Sequence, residues 1–258
     1  MRILEVENLT FAYQKKYIFK NVSFSVNKGD FVGIIGPNGS GKSTLIKLML
    51  GILTPEAGQI RIFGEDIRKF SEWPKIGYVS QKANSFNGDF PATVNEIVGA
   101  ALLANKGLFQ RKLRDYNRRI NEALKKVGMQ DYGDKMIGRL SGGQQQRVFI
   151  ARVLVTEPEI MFLDEPTVGI DAKSEEALYC LLARLNSELG ITIIMVTHDI
   201  GAITAHANKL IVLEEKGLSV HDMKDPEAGD IVSDVYGYPV KIQSRLCRFC
   251  GHARQVNN

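Results

Sequence analysis

Three stretches of this chain combine residue types and spacings that could do chemistry. The first is Gly36-Pro37-Asn38-Gly39-Ser40-Gly41-Lys42-Ser43-Thr44, which follows the apolar run Phe31 to Ile35 and precedes the helical pattern of Leu45, Ile46, Leu48 and Met49. Glycines there let backbone N–H groups curl around phosphate oxygens at a helix N-terminus, whose dipole favours negative charge. Lys42 then pairs with the β and γ phosphates of a nucleotide, and Ser43 ligates Mg²⁺. This is a P-loop in the strand-to-helix setting it requires, with Gly36, Asn38, Gly39, Gly41, Lys42, Ser43 and Thr44 as the phosphate-binding candidates. A glycine-rich turn with no ligand has no use for the Lys-Ser pair.

The second stretch, Ile160-Met161-Phe162-Leu163-Asp164-Glu165, ends an apolar strand in two adjacent acids. A strand buried on both faces gains nothing from carboxylates at its end, whereas phosphate-bound Mg²⁺ needs one there. Asp164 is the metal candidate and Glu165 the base or water-positioning candidate. Alone, such a pair serves equally well as a helix cap. The third stretch is Leu140-Ser141-Gly142-Gly143-Gln144, where Ser141 and Gln144 have capping-box spacing. Two consecutive glycines are costly if capping is the only purpose, so close approach to an anion is the better account. One P-loop already serves the chain's own nucleotide; a second phosphate-binding helix end points to the nucleotide of another chain.

These residues need a scaffold. Phe31 to Ile35, Ile76 to Ser80, Ile160 to Leu163, Ile191 to Val196 and Leu210 to Leu213 read as buried strands between helix-like segments, the pattern of a parallel sheet with helices on its faces. The first thirty residues and Gly58 to Gly64 alternate apolar with polar residues, which predicts a small antiparallel sheet. From about Asn84 to Arg139 strand signals stop and helix formers dominate, which predicts an inserted helical subdomain reaching about residue 150. Past His221 the periodicity weakens.

The 258 residues, 44% hydrophobic and 24% charged, suffice for one α/β core with a subdomain. No apolar run is long enough to span a membrane, and the start Met1-Arg2-Ile3-Leu4-Glu5 lacks a signal-peptide core, so a cytosolic chain is expected. Three cysteines, an odd number, argue against a disulfide framework. The net charge of +4 sits in residues 241–258, which hold Lys241, Arg245, Arg248 and Arg254 and no acid, leaving 29 basic and 29 acidic residues elsewhere. A neutral body speaks against nucleic acid as a partner. The run Lys106 to Arg119, with six basic residues and one acid, reads as a solvated helix face.

In this order and separation the P-loop, Leu140 to Gln144 and Asp164-Glu165 resemble the nucleotide-binding subunit of ATP-binding-cassette transporters, over about residues 3 to 222. The resemblance implies a P-loop NTPase (RecA-like) α/β core with the small antiparallel β subdomain and inserted helical subdomain. It also implies ATP hydrolysis with Mg²⁺, and a head-to-tail dimer in which each ATP lies between one P-loop and the partner's Ser141-Gly142-Gly143-Gln144. Residue by residue, Tyr13 matches the aromatic that stacks on adenine, although Tyr17 could be that ring. Gln81 matches the glutamine that senses Mg²⁺ and the attacking water, so Ser43, Gln81 and Asp164 form the Mg²⁺ set. Asp171 matches the acid that crosses the dimer interface, and His198 the switch histidine that steadies Glu165. Lys42, Gln81, Glu165 and His198 are thereby the catalytic candidates.

The wording Asp89-Phe90-Pro91-Ala92-Thr93-Val94 is similar to that of the ATPase subunits of bacterial zinc and manganese importers. Expected partners are then a second copy of the chain, a separate membrane permease docking near Phe86 and Phe90, and indirectly an extracellular substrate-binding protein, with the chain peripheral on the cytoplasmic membrane face. A soluble cassette ATPase resembling iron–sulfur cluster assembly factors is the alternative. The 223–258 extension carries Cys247-Arg248-Phe249-Cys250-Gly251-His252, in which Cys247, Cys250 and His252 stand at zinc-ligand spacing, one ligand short of a closed site. Two reduced thiols in a basic tail would look the same.

Overall fold

The computed structural model describes residues 1–81, 90–103, 113–214, 217–225 and 233. In chain order the elements are β1 (Arg2–Tyr13), β2 (Lys16–Asn27), β3 (Phe31–Ile35), α1 (Lys42–Met49), β4 (Ala57–Ile62), β5 (Glu65–Asp66), β6 (Ile76–Val79), α2 (Val94–Leu103), α3 (Leu113–Lys126), α4 (Gly142–Leu154), β7 (Ile160–Asp164), α5 (Ala172–Leu189), β8 (Thr192–Val196), α6 (Ile200–His206), β9 (Lys209–Glu214) and β10 (Gly217–Asp222). They form two compact units, one of residues 1–71 with the described residues from Leu182 onward, the other of Glu72–Leu181.

In the first unit, β2, β1, β4 and β5 make an antiparallel sheet in that order. Its alternation is the one expected: Leu4, Val6, Leu9 and Phe11 of β1 and Phe19, Val22, Phe24 and Val26 of β2 are buried, with polar residues between them. A second set of strands runs β10, β9, β3, β8. Here β9 and β8 lie parallel to β3 on its two sides, and all five positions of β3 and of β8 are buried. That explains why both read as continuous apolar runs rather than alternating ones. A Cβ at Gly33 would lie 2.4 Å from Ile203 Cγ1, so glycine is what lets α6 pack on β3. The hairpin strand β10 is absent from the sequence expectation. Among the described residues it pairs with β9 alone, and its half-exposed residues lack an apolar face that would announce a strand.

Just before β3, Asp30 ties the end of β2 to the start of β9. Its carboxylate accepts from Asn27 N at 2.8 Å, from Lys209 Nζ at 2.8 Å and from Asn208 Nδ2 at 3.1 Å. Asn208 Oδ1 in turn accepts from Phe31 N at 2.9 Å. With Asp30 7% exposed, the charge is sequestered and fully hydrogen-bonded, the condition on which a buried carboxylate is tolerated.

In the second unit, β6 and β7 pair in parallel, Ile76 beside Ile160 through Val79 beside Leu163. A Cβ at Gly77 would lie 2.1 Å from Val153 Cγ1, which shows how closely α4 approaches this pair. The expected helices are present as α2 and α3, with Val94, Val98, Leu102, Ile120, Leu124 and Val127 buried. The capping box opens α4 as its spacing predicts: Gln144 N donates to Ser141 Oγ at 3.4 Å, and Ser141 N donates to Gln144 Oε1 at 3.0 Å.

Candidate nucleotide site

The first unit holds the P-loop between β3 and α1. Gly36, Gly39 and Gly41 have φ of 151°, 80° and 101°, the half of the map that favours glycine. Lys42 is 6% exposed and its ammonium donates to Gly36 O at 2.8 Å and Pro37 O at 2.9 Å, so the loop is wound about its own lysine. Among the described residues no side chain caps α1. Ser40 Oγ is buried without a hydrogen-bond partner among the described residues, and nothing lies within 4 Å of a Cβ built on Gly39. An orphaned hydroxyl, an open glycine and a fixed ammonium fit the phosphates of a nucleotide.

Beside this loop is a cavity of about 410 Å³ lined by Lys16, Tyr17, Ile18, Pro37, Asn38, Gly39, Ser40 and Glu214. Of the two aromatic rings, Tyr17 lines it and Tyr13 does not. Tyr13 sits edge-on against Phe11 with centroids 4.9 Å apart, while the Tyr17 ring has Lys20 Nζ 4.6 Å from its centroid. Each ring is about half exposed. Lys16 and Glu214 went unnoticed in the sequence. The signal for Glu214 was present, an acid at the end of an apolar strand, the same signature that picks out Asp164.

His198 follows β8, whose Val196 pairs with Ile34 of β3, and Thr197 N donates to Ile34 O at 3.3 Å. Parallel pairing therefore delivers exposed His198 to the same strand ends that carry the P-loop. Asp199 accepts from Ala202 N at 2.9 Å and caps α6, which fixes where β8 stops and the helix starts.

The second unit gathers the acids. The register that sets Val79 beside Leu163 carries Gln81 to Glu165, 84 positions away in sequence, where Gln81 Nε2 donates to Glu165 Oε2 at 2.9 Å. Glu165 takes a φ of 48°, a left-handed backbone that few non-glycine residues adopt and that recurs where side chains are held for function. Asp164 is 3% exposed. Burial pushes the Tyr78 phenol up, and the Asp164 carboxylate adds to it, so these two groups sense each other. Within this unit the amide oxygen of Gln81 and the carboxylate of Asp164 are hard donors of the kind Mg²⁺ takes.

The two glycines of the third stretch have neighbours in their own unit. A Cβ at Gly142 would lie 3.3 Å from Gly169 O, and one at Gly143 only 2.6 Å from Ser174 Cβ. Close approach of α5 is thus a second reason for glycine here, beside approach to an anion. Asp171 is occupied locally as well, since it accepts from Ser174 Oγ at 2.7 Å and from Ser174 N at 3.0 Å. These hydrogen bonds, the hydroxyl's first, hold its carboxyl below the usual range. Cys247, Cys250, His252 and Phe86 lie outside the described residues. Among the described residues no group of three or more His, Cys, Asp or Glu is placed to hold a metal.

The ABC transporter family model matches residues 19–168. The chain is 50% identical over 215 residues to the zinc uptake system ATP-binding protein ZurA of Listeria innocua, covering 83% of this chain and 84% of that protein. It is 41% identical over 210 residues to the manganese transport system ATP-binding protein MntB of Bacillus subtilis, covering 81% and 82%. Among solved structures, a dimeric ATP-binding cassette in a post-hydrolysis state bound to ADP and Pi superposes with a TM-score of 0.73 at 30% identity, covering 86% of this chain and 99% of that one. CbiO1 of Clostridium perfringens, part of the transporter complex cbiONQ, superposes with a TM-score of 0.79 at 32% identity, covering 90% and 93%. With the motifs in place on this fold and these relatives spanning most of its length, the chain belongs to the ABC transporter family as one of its ATP-hydrolysing cassettes.

Proposed function

We propose that this cassette powers uptake of a divalent metal ion, zinc first and manganese second, through a separate membrane permease served by an extracellular substrate-binding protein. The observation that carries the cargo is the 50% identity to a zinc uptake protein, against 41% to a manganese one. No helix among the described residues is long and apolar enough to cross a membrane. In this reading the passage belongs to the permease, and the cassette works from the cytoplasmic face. A cavity of about 350 Å³ lined by Tyr78, Ala101, Phe149, Arg152, Val153 and Thr156, among others, is a candidate seat for the permease, and Phe90, 41% exposed, suits the same contact.

Each residue has a task in hydrolysis. Gly39, Ser40, Gly41 and Lys42 hold the phosphates, and Tyr17 or Tyr13 the base. Ser43, Gln81 and Asp164 would supply oxygens to Mg²⁺, which would neutralise charge on the phosphates. Glu165 orients the attacking water and takes its proton, Gln81 fixes the carboxylate through its 2.9 Å hydrogen bond, and His198 donates to the γ phosphate. Two copies pair head to tail, with Ser141 to Gln144 and Asp171 facing the partner's nucleotide. A dimeric cassette among the structural relatives supports this arrangement. On its spacing, the Cys247, Cys250 and His252 cluster is assigned to zinc, and a zinc titration with and without residues 241–258 tests that assignment.

The deciding experiment is growth of cells carrying Lys42→Ala in metal-depleted medium, with zinc, manganese, iron or nickel restored singly. Selective rescue by zinc or manganese supports metal uptake and names the ion. A defect that no metal relieves overturns the cargo and favours a soluble assembly ATPase.

A further inference from the structure

Gln146 is 1% exposed, yet neither its Oε1 nor its Nε2 has a hydrogen-bond partner among the described residues. Its neighbours in α4 are all engaged. Gln144 closes the capping box, and Gln145 Nε2 donates to Ile137 O and Leu140 O at 3.2 Å each. A buried amide with two donors and an acceptor oxygen and no partner among the described residues lowers stability, a loss that an apolar residue of the same shape would avoid. The helical register shows what this amide faces. Gly142 and Gly143, one turn earlier on the same stripe, abut Gly169 O and Ser174; Val153, two turns later, abuts Gly77 of β6. That register places Gln146 between β6 and the Glu165–Ile170 turn that leads into α5. The hydrogen bonds within that turn include those of 3.3 Å from Val168 N to Glu165 O and from Ile170 N to Thr167 O, and the Glu165 side chain accepts from Gln81 Nε2 at 2.9 Å.

We propose that Gln146 is a positioning residue for hydrolysis: its amide is unpaired in the resting chain and takes backbone partners from the Glu165–Ile170 turn when that turn rearranges in the ATP cycle, holding Glu165 in its working orientation. The cost carried at rest becomes part of the drive toward the working arrangement. This rests on Glu165 acting as proposed above, and the experiment separates the two.

The test is Gln146→Met, which keeps the length of the side chain and removes its polar atoms, with Gln146→Leu as a second variant. Thermal unfolding without nucleotide is compared with steady-state hydrolysis normalised to ATP-binding stoichiometry. We expect a Tm higher by roughly 2–4 °C, because an unsatisfied group has gone. Alongside it we expect a kcat about tenfold lower with KM for ATP within about twofold, the pattern of an interaction made only on the way to the transition state. A lower Tm, or two variants that fail to fold, would show that the amide is already paired and structural. An unchanged kcat would show that the cycle does not use it. Glu165→Gln run in parallel reports on the catalytic reading by itself: if that variant still hydrolyses ATP, Glu165 is not the base, while the Tm arm still decides whether Gln146 is unpaired.

Discussion

Gly143→Ala puts the packing account of the glycine pair at risk. The added carbon would sit 2.6 Å from Ser174 Cβ and 2.7 Å from Ser174 Oγ. Carbon–carbon contacts relax at roughly 3.5–4 Å, so about 1 Å must be recovered by displacing the first turn of α5. That turn is stiffened by the two hydrogen bonds between Asp171 and Ser174. Overpacking of this kind costs about 1–3 kcal/mol, and better helix propensity returns up to about 1 kcal/mol. A net loss of about 1–2 kcal/mol lowers Tm by roughly 2–8 °C in a chain of this size. The assay is thermal unfolding without nucleotide on Gly143→Ala, Ser174→Gly and the double variant. Because Ser174→Gly removes the obstructing atoms, the double variant should be more stable than the sum of the singles by about 1 kcal/mol or more. If Gly143→Ala melts within about 1 °C of the parent while hydrolysis is lost, approach to the nucleotide alone explains the glycine and the packing argument falls.

Glu165→Gln should keep ATP affinity and lower hydrolysis at least about a hundredfold in a single-turnover assay; a residual rate above a tenth would remove the base role. Asp30→Ala strips Lys209 Nζ, Asn208 and Asn27 N of a shared acceptor, and urea unfolding should register a loss of about 3 kcal/mol, with less than about 1 counting against the clamp. Burial holds the His206 imidazole below its ordinary value. The unfolded chain therefore binds the proton more readily, and His206 contributes stability that is present above pH roughly 6.5 and lost as pH falls through that value. Tm between pH 7.5 and 5.5 should fall less for His206→Gln than for the parent, and equal falls would exclude the effect.

The strands β3, β7, β8 and β9 were legible because burial on both faces leaves an unbroken apolar run, and the P-loop because its glycines, lysine and serine stand at phosphate-binding spacing between a strand and a helix. Contacts that depend on a partner far along the chain were not legible. Nothing in the spacing of Gly142 and Gly143 announces Gly169 or Ser174, so the sequence points only to an anion. Gln146 follows two other glutamines at a helix start, and nothing in that run announces that the fold buries it. Lys16 and Tyr17 line the cavity through the β1–β2 hairpin register, in which Ala12 opposes Tyr17 and Tyr13 opposes Lys16, and ring identity alone does not reveal which residue faces the loop.

The position of β3 between β8 and β9 has a consequence for synthesis. Phe31 pairs beside Ile193 and Val32 beside Lys209, so the strand that ends in the P-loop waits for neighbours made some 160 to 180 positions later. At translation rates of about 5–20 residues per second this is a delay of roughly 8–36 s, during which an apolar segment with both edges open emerges from the ribosome. Nucleotide therefore has no formed site to bind on the nascent chain. It becomes a selective ligand for the folded state only after β8 and β9 have been made, and the earlier interval is the one in which chaperone capture and aggregation compete for β3.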